Sequence, residues 1–392
     1  MLKKLLLLLL SSATLCTSLF LTSAYADRFA YVVNSYPEDE TLSKINLTTG
    51  EVTNHIDTLG ESPNQIVIQG NFAYVVNSLD HDIQIIDLET ENTVGYIIIG
   101  EPRNPFHIAF VDTQYAYVTN LMYYNTISKV DVINREVVEE FGVGQGPEGL
   151  LVVGNKLYIC CCGFEWPKYK RITGRDWVFD PTHRANDVKA YRYIPGKVYV
   201  FDIQDEVVLD SIEVGLNPQY LDLDPEGELN VVCTGDYWSV FGQIYRIDPT
   251  TDTVIDSIST GGNPGVISIG SDGVGYLAGG GWDPDSGKVF TFDSYADTII
   301  RGSENPIHTD CGVIAVTALH PSQVLTSNFD GDNISRMNKN GVLFNQYPVG
   351  NGPISTAIYT TSPQIPLLDQ RSMIILIMLL ALAGSFLLER RG

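Results

Sequence analysis

The sequence predicts an all-β chain, a seven-bladed β-propeller closed by N- and C-terminal strands of the same blade, with a signal peptide before it and a C-terminal transmembrane helix after it. Three observations lead there: a strand motif recurring every 43 residues in its clearest copies, an Asp/Asn ladder in step with it, and a Gly-x-x-Pro ladder that closes each unit. A unit of about 43 residues holding four strands has the size of a propeller blade.

The chain opens Met1-Leu2-Lys3-Lys4, continues through Leu5 to Leu10, and reaches Ala24-Tyr25-Ala26. A basic start, an apolar run and an A-x-A end make a secretory leader over 1–26, cut after Ala26. The chain is therefore read as exported, and the propeller as residues 27–362.

The strand motif is Phe29-Ala30-Tyr31-Val32-Val33-Asn34, repeated as Phe72-Ala73-Tyr74-Val75-Val76-Asn77 and Tyr115-Ala116-Tyr117-Val118-Thr119-Asn120. Weaker copies begin at Lys156, Glu228, Val274 and Gln323, making seven. The second ladder places Asn46, Asp87, Asp131, Asp202, Asp248, Asp293 and Asn338 at the end of an apolar strand and before a turn. Asp and Asn suit that place because their side chains bond backbone N–H groups two residues on. Alternation of apolar and polar residues argues strands rather than helices. The third ladder reads Ser62-Pro63, Asn104-Pro105, Gly146-Pro147, Asn217-Pro218, Asn263-Pro264 and Gly352-Pro353, with Asp310-Cys311-Gly312 as the proline-free copy. In this phase the chain starts at the second strand of blade one, and Thr356–Tyr359 supplies that blade's first strand.

Tyr31-Val32-Val33-Asn34, Tyr74-Val75-Val76-Asn77 and Tyr117-Val118-Thr119-Asn120 resemble the signature of the YVTN-type propeller repeat family of bacterial and archaeal surface and periplasmic proteins. The resemblance spans about 28–360 and implies the same fold and an extracytoplasmic place.

At the other end, Met373–Leu388 holds no charged residue. At 16 residues it lies at the short edge of the roughly 17–25 that span a bilayer. Arg390 and Arg391 after it stay cytoplasmic by the positive-inside rule. Ile365-Pro366-Leu367-Leu368, the apolar span and Arg390-Arg391 are similar to the IPTL-type sorting signals of Gram-negative bacteria, with Leu367 where that family has threonine. The resemblance implies a Gram-negative envelope location, a membrane tether over 363–392 and a sorting protease as partner.

Lys and Arg number 24 against 47 Asp and Glu, a net charge of −23. Such a surface repels phosphate backbones and excludes a nucleic-acid partner. The loops after each second strand share one face with the Gly-x-x-Pro loops. They carry Tyr123, Tyr124, Tyr237, Trp238 and Trp282, an aromatic and acidic face suited to a glycan, a peptide or a cation. Asp283 and Asp285, with Asp330 and Asp332, form Asp/Gly loops that would take calcium, though without the register or distal glutamate of an EF-hand.

Blade four carries an insertion, 163–197, that gathers eight of the 24 basic residues together with Trp166 and six other aromatics. Loops of this length are functional or disordered as a rule, and this one reads as a lid or a partner-docking arm. In an exported chain, a disulfide from Cys160 or Cys162 to Cys233 in the next blade is expected. No G-x-S-x-G, H-E-x-x-H or C-x-x-C-H motif is present. The sequence reading is a surface or periplasmic binding or adhesion module for an envelope protein or glycan. The alternative is a metal-dependent propeller hydrolase, lactonase or lyase.

Overall fold

The computed structural model describes residues 26–122, 124–163, 169–172, 176–179, 195–237, 239–279, 287–319 and 322–361. The leader and the C-terminal segment expected to cross the membrane lie outside these residues. Among the described residues no helix is long and apolar enough to cross a membrane. Phe29–Tyr359 forms one compact unit. In the other, the Thr361 N–H donates to the Asp27 carbonyl at 2.9 Å and the Asp27 N–H to Thr361 Oγ1 at 3.0 Å.

The larger unit is a seven-bladed β-propeller. Blade 2 shows the pattern: Pro63–Gln69, Phe72–Asn77, Asp82–Asp87 and Asn92–Ile98 follow one another from the channel outward. Blades 3, 5 and 7 repeat it from Pro105–Phe110, Pro218–Leu223 and Val313–Leu319, and blade 6 does so from Ile267–Ile269, with Ile307–Thr309 added against its third strand. In blade 4, Lys156–Cys161 pairs with Pro195–Asp202, so the insertion leaves the blade between its second and third strands. Within it, Tyr169–Ile172 and Asp176–Phe179 pair as a hairpin. Blade 1 takes its innermost strand, Pro353–Thr360, from the far end of the chain and the rest from Arg28–Asn34 onward.

Second strands are buried on both faces, as in Phe72–Asn77, where all but Phe72 are buried. They read as apolar runs because blades stack face to face. The outer strand Asn92–Ile98 alternates instead between exposed and partly or fully buried positions. The apolar residues fall into seven clusters, one at each junction between neighbouring blades. No blade has a core of its own.

The repeat motif has a physical cause at each end. Its terminal Asn is fully buried and donates to the third strand. Asn34 Nδ2 reaches Ser43 Oγ at 2.9 Å, Asn77 reaches Asp82 Oδ1 at 2.9 Å, Asn120 reaches Ser128 Oγ at 2.9 Å and Asn328 reaches Ser335 Oγ at 2.8 Å. Cys161 and Cys233 take this place in blades 4 and 5. The Gly of Gly-x-x-Pro packs on the same side chain. A Cβ on Gly60 would lie 2.6 Å from Asn77 Nδ2, and on Gly215 3.0 Å from Cys233 Cβ.

The Asp/Asn ladder acts as expected in all seven blades. Asp87 Oδ1, for example, accepts the N–H of Glu89 at 2.8 Å and of Thr90 at 3.2 Å, and Asn46, Asp131, Asp202, Asp248, Asp293 and Asn338 do likewise.

On the face of these turns a belt of basic side chains joins blades. Lys44, Lys129, Arg246 and Arg336 hold one equivalent position in the third strands of blades 1, 3, 5 and 7. Lys44 pairs with Glu91 and Lys129 with Glu206 on the next blade. Arg246 meets Asp297 at 2.5 Å, and Arg336 donates to the Leu47 carbonyl at 2.9 Å. Lys156 bridges blades 4 and 5 through Asp252 at 2.7 Å.

Gly60 has ordinary backbone angles, so replacing it tests the steric contact alone. Gly60→Ala should lower stability by about 1–3 kcal/mol, the usual cost of overpacking, read as a lower urea midpoint with an unchanged slope.

Candidate binding site at the channel mouth

The inner strands start at the Gly-x-x-Pro loops, and their first residues surround a cavity of about 430 Å³. Inner strands of neighbouring blades exchange no continuous backbone ladder. Side chains bridge them instead: Gln65 Oε1 accepts the Ile108 N–H at 2.7 Å, Ser268 Oγ that of Ala318 at 3.0 Å, Ser355 Oγ that of Ile66 at 3.3 Å. This stitching fixes the cavity wall. Phe106, His107 and Tyr220 are its aromatic part; His107 stacks on Phe106 at 4.9 Å and tilts against Tyr220 at 5.5 Å. No charged residue lines it. Burial pushes His107 down to about 4, so its imidazole is neutral and offers one donor and one acceptor.

Behind this wall sits Glu148, in the inner strand of blade 4. It is 6 % exposed, and its Oε2 has no hydrogen-bond partner among the described residues. Burial raises it to about 7, partly opposed by hydrogen bonds from Cys162 and Gln219. Gln219 Oε1 also accepts from Thr234 Oγ1 at 2.7 Å and lies 3.5 Å from the Tyr237 hydroxyl. Tyr237, held at positive φ, thus extends a polar chain from Glu148 to the exposed loop. Tyr220 and Tyr237 are both raised, first by burial and then by the Glu148 charge.

Of the aromatic residues singled out by sequence, Tyr237 belongs to this mouth. Tyr124 shares its face but lies under Arg103, whose Cζ is 5.2 Å from the ring centroid. Tyr123, Trp166, Trp238 and Trp282 lie outside the described residues, as do Asp283 and Asp285. Asp330 and Asp332 are exposed, and Asp332 Oδ1 accepts the Gly352 N–H at 2.9 Å, joining blade 7 to blade 1. No group of three or more His, Cys, Asp or Glu among the described residues is placed to hold a metal. The expected cystine is not formed in this structure. Cys160 and Cys233 share the junction core of blades 4 and 5 as buried thiols, while Cys161 faces the junction of blades 3 and 4. Both thiols sit in apolar packing, and burial raises both. Cys162 turns to Glu148 instead.

Sequence reasoning missed Gln65, Glu148, Gln219 and Tyr220. Their signal was position: each is the first or second residue after the ladder proline, where the repeat faces the channel.

Neither a protein-family model nor a curated protein sequence matches the chain. Solved structures share the fold. A hydrazine synthase chain of Kuenenia stuttgartiensis is 13% identical with a TM-score of 0.58, over 77% of this chain and 96% of that one. A functionally unknown protein of Desulfotomaculum acetoxidans is 15% identical with a TM-score of 0.59, over 86% and 99%. A streptogramin B lyase is 13% identical with a TM-score of 0.52, over 82% and 87%. At these identities the likeness concerns architecture, and propellers host unrelated functions.

Glu148 makes stability depend on pH. Its folded value, about 7, exceeds the ordinary 4.5. Below 4.5 both states hold the proton; between the two values only the folded state does, so stability changes there. Since the unfolded chain ionises first, stability falls as pH rises from about 4.5 to 7 and then levels. At 1.36 kcal/mol per pH unit the loss is about 3 kcal/mol. Glu148→Gln should flatten this slope and stabilise the protein at pH 8, read from urea midpoints across pH.

Proposed function

We propose that this chain is an exported, membrane-tethered propeller that binds a small neutral glycan at the channel mouth. The observation that carries the reading is the wall of the 430 Å³ cavity. It joins the aromatic faces of Phe106, His107 and Tyr220 to uncharged amide and hydroxyl groups. A sugar ring presents C–H faces that pack on aromatic rings and hydroxyls that need partners once buried. An ionic ligand would lose its hydration in the cavity without a counter-charge on the wall. The cavity also falls within the few hundred Å³ usual for small-ligand sites. Export and tethering are supported by the leader-like 1–26 and the apolar Met373–Leu388 with its basic end.

A second reading, a propeller hydrolase or lyase, is favoured by Glu148 alone. A carboxyl that holds its proton near neutrality could serve as acid or base for a bound substrate.

The test is calorimetric titration of the purified full chain with a panel of neutral mono- and disaccharides, with product analysis of each mixture. One sugar should saturate a single site and be recovered intact. His107→Ala and Tyr220→Ala should each weaken it at least tenfold. A chain that binds none of them, or binds one equally well in both variants, overturns the reading; conversion of the sugar moves it to the enzyme.

A further inference from the structure

At the belt position blades 2, 4 and 6 carry Ile85, Val200 and Thr291, and only between blades 2 and 3 does the facing turn present a cation, Arg135. At the junction of blades 1 and 2, Lys44 lies over the Phe29 ring at 4.4 Å and the Tyr31 ring at 5.7 Å and pairs with Glu91 on the next blade. One blade on, the aromatic residues recur as Phe72 and Tyr74. The lysine position is Ile85 and the glutamate position is Arg135. The junction therefore keeps its rings, loses the amine that covers them, and presents a cation from the opposite blade with no carboxylate to meet it.

The result is a cavity of about 640 Å³ on the face opposite the Gly-x-x-Pro loops. Its apolar wall is Phe72, Tyr74, Ile85, Val132 and Ile133, with Arg135 among the lining residues. Arg135 Nη1 donates to the Val94 carbonyl at 2.7 Å, which fixes the guanidinium. Its remaining N–H groups are the only cationic donors in the lining. Phe72 and Ile133 are exposed, 38 % and 65 %, although both belong to this apolar wall.

We propose that this inter-blade slot binds an amphiphile with one carboxylate, a medium-chain fatty acid, its chain on the apolar wall and its carboxylate on Arg135. Charge complementarity decides the class. Arg135 holds the place of Glu91 at the previous junction, so the charge it faces must be reversed from the Lys44 ammonium to an anion, and a guanidinium meets a carboxylate with two parallel N–H donors. The chain as a whole carries −23, so an anion gains nothing from the general field. It must be held by this local cation and by apolar burial, at roughly 0.8 kcal/mol per CH₂. A cationic amphiphile has the rings but meets Arg135. A short carboxylate has the arginine but forgoes the wall.

The test is calorimetric titration of the full chain with decanoate, acetate and decylammonium, below their micellar concentrations. Decanoate should saturate one site, with the other two at least tenfold weaker. The double variant Ile85→Lys with Arg135→Glu rebuilds the lysine–glutamate pair of the previous junction. It should keep or raise the thermal midpoint and weaken decanoate at least tenfold; Arg135→Gln alone should do the latter as well. Absence of saturable decanoate binding overturns the proposal, and so does equal binding by wild type and the two variants.

Discussion

The propeller depends on one pairing, that of Pro353–Thr360 with Arg28–Asn34. All seven apolar cores lie between blades, so a blade is stable only with a neighbour on each side. Without the C-terminal strand, blade 1 has no inner strand, and the cores toward blades 7 and 2 both open. In an open array of repeats stability is a sum of nearest-neighbour terms and ends can fray. Closing the ring removes the ends and makes each junction depend on all the others. The bridges that span the closure are of several kinds: Ile354 and Ala357 pack toward blade 2, Asp332 holds Gly352, and Arg336 reaches the Leu47 carbonyl.

The two faces use different chemistry for the same task. On the Gly-x-x-Pro face, hydrogen bonds do the joining. Ser78 Oγ donates to the Pro105 carbonyl of the next blade at 2.5 Å, and Asn104 Nδ2 reaches back to the Ser78 carbonyl at 3.3 Å. On the turn face, long basic side chains cross the junctions. A guanidinium or ammonium can bury its stem along apolar surface while its head finds a carboxylate. Glu91, Glu206 and Asp297 meet three of the belt residues, and Arg336 meets the Leu47 carbonyl instead.

Blade number, phase and the turn chemistry were legible because each rests on residues close in sequence. Asp87 acts on Glu89 and Thr90, which a local reading finds; the bond from Asn77 to Asp82 came only with the structure. The belt was not legible, since Lys44 meets a residue 47 positions on and Lys129 one 77 positions on. The channel was half legible. Counting blades places inner strands around it, but which residues face it depends on small register shifts just after the proline, such as that between Pro105 and Ile108. Loop composition singled out Tyr237, whose hydroxyl lies 3.5 Å from Gln219 Oε1. It could not show that Asp332 is committed to Gly352 or that Cys162 answers to Glu148.

Both sites arise where the repeat departs from itself. Arg135 stands where other facing turns carry a carboxylate or an uncharged residue, and the cost is a missing ion pair and an exposed Phe72 ring. Glu148 departs at the channel, where burial makes ionisation unfavourable at neutral pH and glutamine would avoid that cost while keeping its size. Each places at one junction a group that the other junctions lack, beside a cavity wide enough for a small molecule, and that combination separates a binding site from an irregularity of the fold.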